Sequence, residues 1–237
     1  MIATYKVLSA ILSYPTAELQ AAAHELIAAL NAEKLLSRDA RAAVGNLLSS
    51  IAADDLLEAQ SQYIDLFDRT RALSLHLFEH VHVESRDRGQ AMVLLLQRYQ
   101  QAGLDIGTRE LPDYIPLFLE FLSTQSEAEA RARLEEAAHI FAALGERLRK
   151  RGSPYAAVLE ALVALSRTAP DDGVLEELRK QQLEDPNDLA ALDRAWEEAE
   201  VRFGPGDAAA EACPRADAII KHMAAGEPAA PRPWSSS

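Results

Sequence analysis

The residue pattern with the clearest chemical meaning is the run HLFEH at positions 76–80. It follows the H-x-x-E-H order of inverted zinc metallopeptidases, in which two histidines one helical turn apart bind zinc and the glutamate polarises a water molecule. His82 and Glu84 follow closely and offer two further ligand types. This chemistry requires a helix that presents His76 and His80 to an open cavity, together with a carboxylate further along the chain. A zinc-dependent hydrolase is therefore one hypothesis for this protein.

The same histidines have a simpler interpretation, because histidines often cap helix ends or bond to the backbone, and a five-residue match without structural context is a weak signal. The nearby carboxylates Asp65 and Asp68 adjoin Arg69 and are typical of neutralised surface pairs rather than of a tuned acid and base. The sequence has no Gly-rich phosphate loop and no G-x-S-x-G elbow. These observations favour a protein that binds rather than one that catalyses.

Composition sets further limits. The 237 residues include 24 Lys and Arg against 37 Asp and Glu, a formal net charge of -13. Such a balance disfavours nucleic acid and anionic lipid and favours basic partners, although it also serves simply to keep a cytoplasmic protein in solution. A single cysteine, Cys213, excludes an intrachain disulfide. The apolar stretch at the N-terminus is too short for a membrane span, so we expect a cytoplasmic protein without stable membrane insertion.

Apolar residues recur at three- and four-residue intervals through most of the chain, which predicts an all-α bundle of about ten helices. At 237 residues the chain can hold one large domain or two small ones. The first helix is expected to end near Tyr14, before Pro15, and Thr16 to cap the second. Ser37 is expected to begin the third. Asp54 or Asp55 is expected to begin a fourth, whose inward face would carry Leu56, Leu57, Tyr63, Ile64, Leu66 and Phe67.

The second half of the chain is less uniform. From 70 to 83 apolar and polar residues alternate, so strand and helix compete, and helix is favoured through Glu79 because no partner strand is visible. Thr124 and Glu127 have the spacing of a capping box for a long helix to about Lys150. Further helices are predicted at 154–166, 171–183 and 187–201. We expect an all-helical domain over 1–203 and a disordered, Pro- and Ala-rich tail over 204–237.

The least generic part is the stretch 63–122, which we call the 63–122 segment. Its side chains combine apolar area with negative charge, a mixture that suits a basic, amphipathic peptide lying in a groove between helices. The apolar members are Tyr63, Leu66, Phe67, Leu77, Phe78, Tyr114, Leu117, Phe118 and Phe121, and the acidic ones are Glu79, Glu84, Asp113 and Glu120. At helical spacing about two-thirds of the aromatic residues are expected to be core.

Two runs in this segment carry a family resemblance. YIDLFDRTRALSLHLFEHVHVESRDRGQAMV at 63–93 and ELPDYIPLFLEFL at 110–122 closely resemble the assembly chaperones of respiratory nitrate reductase, within the TorD/DmsD family of redox-enzyme maturation proteins. The resemblance is specific over about Met1 to Leu165 and vague beyond. It implies a single helical domain of the TorD-like type that is not a subunit of the finished enzyme.

The resemblance also implies a function. The protein would be a system-specific cytoplasmic chaperone that binds the catalytic (alpha) subunit of respiratory nitrate reductase, both as apoenzyme and through its N-terminal twin-arginine-like segment. It would keep that subunit competent for insertion of the molybdenum cofactor before membrane assembly, while binding no cofactor stably itself. Proteins of molybdenum cofactor biosynthesis are further candidate partners.

The site residues follow by position. Tyr63, Leu66 and Phe67 match the family's Y-x-x-L-F element, Glu84 with Ser85 its E-S element, and Pro112 with Asp113 its P-D-H hinge. Tyr114 stands where many relatives have histidine. The expected client-binding residues are Tyr63, Leu66, Phe67, Arg69, His76, Phe78, Glu79, His82, Glu84, Ser85, Pro112, Asp113, Tyr114, Pro116, Phe118 and Glu120. A scaffold that only oligomerises through its helices is a third hypothesis.

Overall fold

The computed structural model describes residues 1–69, 71–81, 85–107 and 110–180, and side chains within these ranges except at 85–87. In these ranges the chain forms nine α-helices, and the all-α prediction is confirmed. They are α1 Ala3–Leu12, α2 Ala17–Glu33, α3 Arg38–Ala53, α4 Leu56–Phe67, α5 Ser85–Gln101, α6 Ile115–Thr124, α7 Glu127–Lys150, α8 Ala156–Ser166 and α9 Asp172–Lys180. Two short 3₁₀-helices, Arg71–Leu73 and Leu77–Glu79, lie between α4 and α5.

The helix starts follow the predicted caps. The side chains of Thr16, Ser37 and Asp55 each accept a hydrogen bond from a backbone N–H in the first turn of the helix that follows. The predicted capping box of α7 was misplaced, because α6 continues through Thr124, and the reciprocal pair is Ser126 with Glu129.

The core is built around α7, which packs against α8 and α9, while α1 packs against α6 and α2 against α3. Its largest fully buried side chains include Tyr5, Tyr99, Phe118 and Phe141. One predicted face was wrong in part: Leu57 is 75% exposed and Ile64 37% exposed, since α4 turns only its Ala59, Tyr63 and Phe67 side fully inward. Tyr63 and Phe67, four residues apart, therefore define the buried stripe of this helix.

The predicted helix through Glu79 is also wrong. The backbone from Leu75 to Leu77 is instead paired with the segment before α6: Leu77 N donates to Asp113 O at 3.0 Å and Ile115 N to Leu75 O at 2.8 Å. His76 and Tyr114 form an isolated antiparallel bridge. The alternation of apolar and polar residues thus reflects locally extended backbone, whose partner is a loop rather than a strand.

Two predictions fall outside the described residues. These are the helix at 187–201 and the tail at 204–237, and the end of the helix predicted at 171–183 lies there too; its described part is α9. Among the helices that are described, none combines the length and apolarity that crossing a membrane would require.

Candidate functional site

One carboxylate organises the 63–122 segment. Asp113 is fully buried, and its Oδ1 lies 3.2 Å from His76 Nδ1 while its Oδ2 accepts from Phe78 N at 3.1 Å. Its backbone oxygen accepts from Leu77 N. We call this set of hydrogen bonds the Asp113 clamp. A buried carboxylate is tolerated only when its oxygens are satisfied, so the clamp fixes residues 76–78 against the start of α6.

His76 lies at the edge of this clamp, with 27% of its side chain exposed. The hydrogen bond to Asp113 raises the pKa of His76, burial opposes that effect, and the negative charges of Asp113, Glu79 and Glu110 add to the increase. Its ring stacks at a 35° tilt on that of Tyr114, with ring centroids 5.4 Å apart. The two rings form a partly exposed aromatic pair at the surface.

Tyr114 connects that surface pair to the core. Tyr63 donates a hydrogen bond to Leu12 O at 2.8 Å, and its hydroxyl oxygen lies 3.1 Å from the hydroxyl of Tyr114. Burial is the main cause that raises the pKa of both phenols well above the physiological range, so both stay neutral. The ring of Tyr63 also packs on Phe67, with centroids 4.9 Å apart. A continuous polar and aromatic path therefore runs from α1 through α4 to the segment before α6.

The geometry does not support the zinc hypothesis. His80 is buried, its Nε2 lies 2.7 Å from Ser74 O, and burial lowers its pKa to about 4. His76 is engaged with Asp113, and the two histidines do not share an α-helical face because Leu77–Glu79 is a 3₁₀ turn. Within the described ranges no three His, Cys, Asp or Glu residues are grouped so that they could hold a metal ion. His82 and Glu84 lie outside those ranges.

The predicted client-binding residues fall into three groups. Seven are buried: Tyr63, Phe67, Phe78, Pro112, Asp113, Pro116 and Phe118. Six are partly or fully exposed: Leu66, Arg69, His76, Glu79, Tyr114 and Glu120. His82 and Glu84 are not described, and Ser85 begins α5 without a described side chain. The buried group thus shapes the surface that the exposed group presents.

The exposed group is not one contiguous patch of free charge. Arg69 pairs with Asp65 at 3.0 Å on α4, and Glu79 faces Arg88 of α5 at 3.8 Å. His76 and Tyr114 are stacked together as described above. Exposed pairs of this kind contribute little to stability and can exchange partners at low cost.

A cavity that sequence reasoning missed lies beside α4. It has a volume of about 300 Å³ and is lined by α3, α4 and the turn between α7 and α8, through residues that include Leu47, Ile51, Asp54, Asp65, Leu66 and Tyr155. Of the predicted client-binding residues only Leu66 reaches it. Its walls are about a hundred residues apart in sequence, so no local pattern could have indicated it.

Together, the described elements define an all-helical protein in which the buried carboxylate of Asp113 holds residues 76–78 against the segment before α6. Comparison with known proteins specifies the family: the chain belongs to the nitrate reductase delta subunit family, whose profile matches residues 16–161. The resemblance seen in the sequence is thereby confirmed.

Curated relatives match most of the chain. It is 45% identical over 208 residues to the nitrate reductase molybdenum cofactor assembly chaperone NarJ of Escherichia coli K12, covering 86% of this chain and 87% of the relative. It is 39% identical over 199 residues to the probable nitrate reductase molybdenum cofactor assembly chaperone NarW of the same organism, covering 84% and 82%. A probable chaperone NarJ of Bacillus subtilis is 29% identical over 161 residues, covering 68% and 86%.

Proposed function

We propose that this protein is a chaperone for molybdenum cofactor assembly in nitrate reductase, and not an enzyme. The observation that carries the proposal is the match to a relative of that named function, 45% identical over 86% of this chain and 87% of the relative. The Asp113 clamp agrees with a non-catalytic role, because the carboxylate of Asp113 is removed from solvent and is bound to the backbone N–H of Phe78 and to the His76 ring.

In its finer form, the proposal is that the protein binds the catalytic subunit of respiratory nitrate reductase before membrane assembly. It recognises both the apoenzyme and the N-terminal twin-arginine-like segment, and keeps the subunit competent for cofactor insertion without holding the cofactor itself. An excess of acidic over basic residues, 37 against 24, supports a basic ligand, because opposite charge speeds encounter and disfavours wrong partners.

For the contacts themselves we propose the six exposed or partly exposed residues of the predicted set: Leu66, Arg69, His76, Glu79, Tyr114 and Glu120. The seven buried ones act indirectly by holding these in position. Direct client contact through the buried set would require the helices to separate, at the cost of the burial that Tyr63, Phe67 and Phe118 provide.

The test is calorimetry of the full chain against a synthetic peptide from the N-terminus of the same organism's nitrate reductase catalytic subunit. We expect saturable binding of one peptide per chain, and no binding of a peptide of the same composition in scrambled order. If the N-terminal peptide produced no binding heat at any salt concentration, the proposed client would be contradicted.

A further inference from the structure

The hydroxyl groups of Tyr63 and Tyr114 have different roles in their contact. A phenol has a single proton to donate. Tyr63 uses its proton on Leu12 O, at 2.8 Å, so in the 3.1 Å contact between the two hydroxyl oxygens it can only accept. Tyr114 is therefore the donor of that pair and has no second proton. Any further hydrogen bond to the Tyr114 hydroxyl must be one that its oxygen accepts.

Two carboxylates lie near the same hydroxyl. Asp68 is the C-cap of α4, and Glu110 lies four residues before Tyr114 in the chain. Burial raises the pKa of the Tyr114 phenol, and the negative charges of Glu110 and Asp68 add to that increase. Burial also raises the pKa of Asp68, an effect that the charge of His76 opposes. The two carboxylates thus act directly on the His76–Tyr114 ring pair.

The cations near this surface are matched by other carboxylates. The pairs are Arg69 with Asp65 at 3.0 Å, Arg88 with Glu79 at 3.8 Å and His76 with Asp113 at 3.2 Å. Arg71 also has an interaction partner. Among the residues that the structure describes, neither Asp68 nor Glu110 takes part in an ion pair. Their negative charges are therefore available to a ligand.

The two helix ends beside the rings supply little positive charge. The C-terminal end of α4 carries partial negative charge, and its last turn has no basic residue. At the start of α6, Ile115 N donates to Leu75 O, and Pro116 has no N–H to offer. The surface around Tyr114 therefore presents hydrogen-bond acceptors, negative charge and aromatic faces.

We infer that Tyr114 and Asp68 together bind an arginine or lysine side chain of the client's N-terminal segment, and that Tyr63 is the positioning residue that keeps the Tyr114 hydroxyl an acceptor. The inference rests on the proposed function and adds which client group this surface selects. A cation donates hydrogen bonds to both oxygens and is attracted by the ring faces, whereas an apolar side chain leaves Asp68 unmatched and an acidic one is repelled.

The central experiment is a double-mutant cycle between the full chain and the N-terminal peptide of the nitrate reductase catalytic subunit, measured by calorimetry. Replacing each arginine and lysine of the peptide by glutamine in turn identifies the basic residue that contributes to binding. Tyr114→Phe keeps the ring but removes the accepting oxygen. We expect it to weaken binding of the native peptide by about five- to tenfold, and binding of the peptide with that one glutamine by less than about twofold.

Tyr155→Phe is the matched control. It removes a phenol of the same aromatic cluster, since Tyr155 packs on Phe67 and Tyr63 with centroids 5.2 and 6.4 Å apart, but it leaves the surface pair intact. Its affinity for either peptide should stay within about twofold of the wild-type value. Circular dichroism melting curves show that each variant is folded at the temperature of the titrations.

A second pair of variants tests the charge. Asp68→Asn should weaken binding of the native peptide severalfold at low salt and less at high salt, because the neutral amide attracts a cation less strongly. Glu58→Gln removes the same charge from an exposed position at the other end of α4 and should leave the affinity unchanged. Equal effects of the two variants would show only a general field and would overturn the role of Asp68.

Tyr63→Phe tests the positioning role. Without the Tyr63 oxygen to receive it, the proton of Tyr114 can turn toward the ligand and oppose a cation. The ratio of the affinities for the native and the glutamine peptide should therefore fall by about threefold or more. A purely structural effect would weaken binding of both peptides by the same factor and would overturn this role.

The remaining outcomes separate this inference from the proposed function. If the wild-type chain binds the peptide but Tyr114→Phe weakens the native and the glutamine peptide equally, or neither, the inference is wrong and the client stands. Tighter binding by Asp68→Asn would place an apolar or acidic group beside Tyr114 and would also overturn the inference. A wild-type chain that does not bind the peptide would refute the proposed function itself.

Discussion

The carboxylate of Asp113 lies 3.2 Å from the imidazole Nδ1 of His76, although the two residues are 37 positions apart and Asp113 is completely removed from solvent. Because the same carboxylate also receives the backbone N–H of Phe78, one side chain satisfies two donors of a segment that has little regular structure of its own. The segment is therefore held to the residues before α6 by polar contacts, in addition to the burial of its own apolar side chains.

Replacing Asp113 by alanine should lower the free energy of unfolding by about 2 to 4 kcal/mol, because the buried N–H of Phe78 loses its acceptor and His76 loses its partner. Chemical denaturation followed by circular dichroism measures this. Asp105→Ala, at an exposed position, should change the same quantity by less than about 0.5 kcal/mol. Similar small losses for both variants would mean that the clamp contributes nothing.

The His76–Asp113 hydrogen bond should make stability depend on pH in a defined direction. The folded pKa of His76 is raised above the unfolded value of about 6.5. Its contribution is therefore fully present below about pH 6.5 and is lost as the pH rises through the raised pKa. The difference in unfolding free energy between wild type and His76→Gln should decrease from about pH 6 to about pH 8. A difference that is constant or grows over this range would contradict the assignment.

His80 provides the opposite case within the same segment. Burial lowers its pKa to about 4, so the folded protein holds it neutral. The stability that it contributes is present above the unfolded value of about 6.5 and is lost as the pH falls toward about 4. The difference between wild type and His80→Gln should therefore decrease on acidification, and the two variants together separate the two histidines in one set of unfolding curves.

Phe67 should behave as a core residue. It is 5% exposed and packs on Tyr63 and Tyr155, so Phe67→Ala should cost about 3 to 5 kcal/mol of unfolding free energy. Thermal and urea unfolding measure the loss. Leu57→Ala on the same helix, where the side chain is 75% exposed, should cost less than about 0.5 kcal/mol. Equal losses of unfolding free energy in the two variants would show that α4 does not turn Phe67 toward the core and Leu57 toward solvent.

Salt should slow client association. If the acidic surface steers a basic leader peptide, the association rate in stopped-flow measurements should fall as ionic strength rises from about 0.05 to about 0.5 M, while dissociation changes less. An association rate that is independent of salt would contradict steering of the peptide by acidic residues, and apolar contacts would remain as the basis of the proposed binding.

The helix starts were predicted well from the sequence, because they depend on contacts between residues close together in the chain. Thr16, Ser37 and Asp55 cap helices through bonds to residues two or three positions away, so each start could be recognised from a short window. The inward face of α4 was harder to predict, because apolar residues lie on more than one side of this helix, and Leu57 and Ile64 were assigned to the core although both are exposed.

The features that the sequence did not predict depend on contacts between residues far apart in the chain. The bridge between His76 and Tyr114 joins two segments that each lack a strand pattern, so alternation at 70–83 had no visible partner. The cavity depends on Asp54 and Tyr155, which meet only when α3 and the turn before α8 come together. Neither could follow from periodicity alone, whereas the family resemblance covered both regions without describing their geometry.

Arg147 of α7 is buried, and its guanidinium donates to Ala72 O on one side and to Leu178 O on the other. A single cation thus joins the 3₁₀ turn after α4 to the end of α9. If either segment detaches, the charge loses part of its solvation by the protein and the opposite segment is held less firmly. The 3₁₀ turn Arg71–Leu73 and α9 are for this reason expected to loosen together, as one cooperative unit, rather than independently.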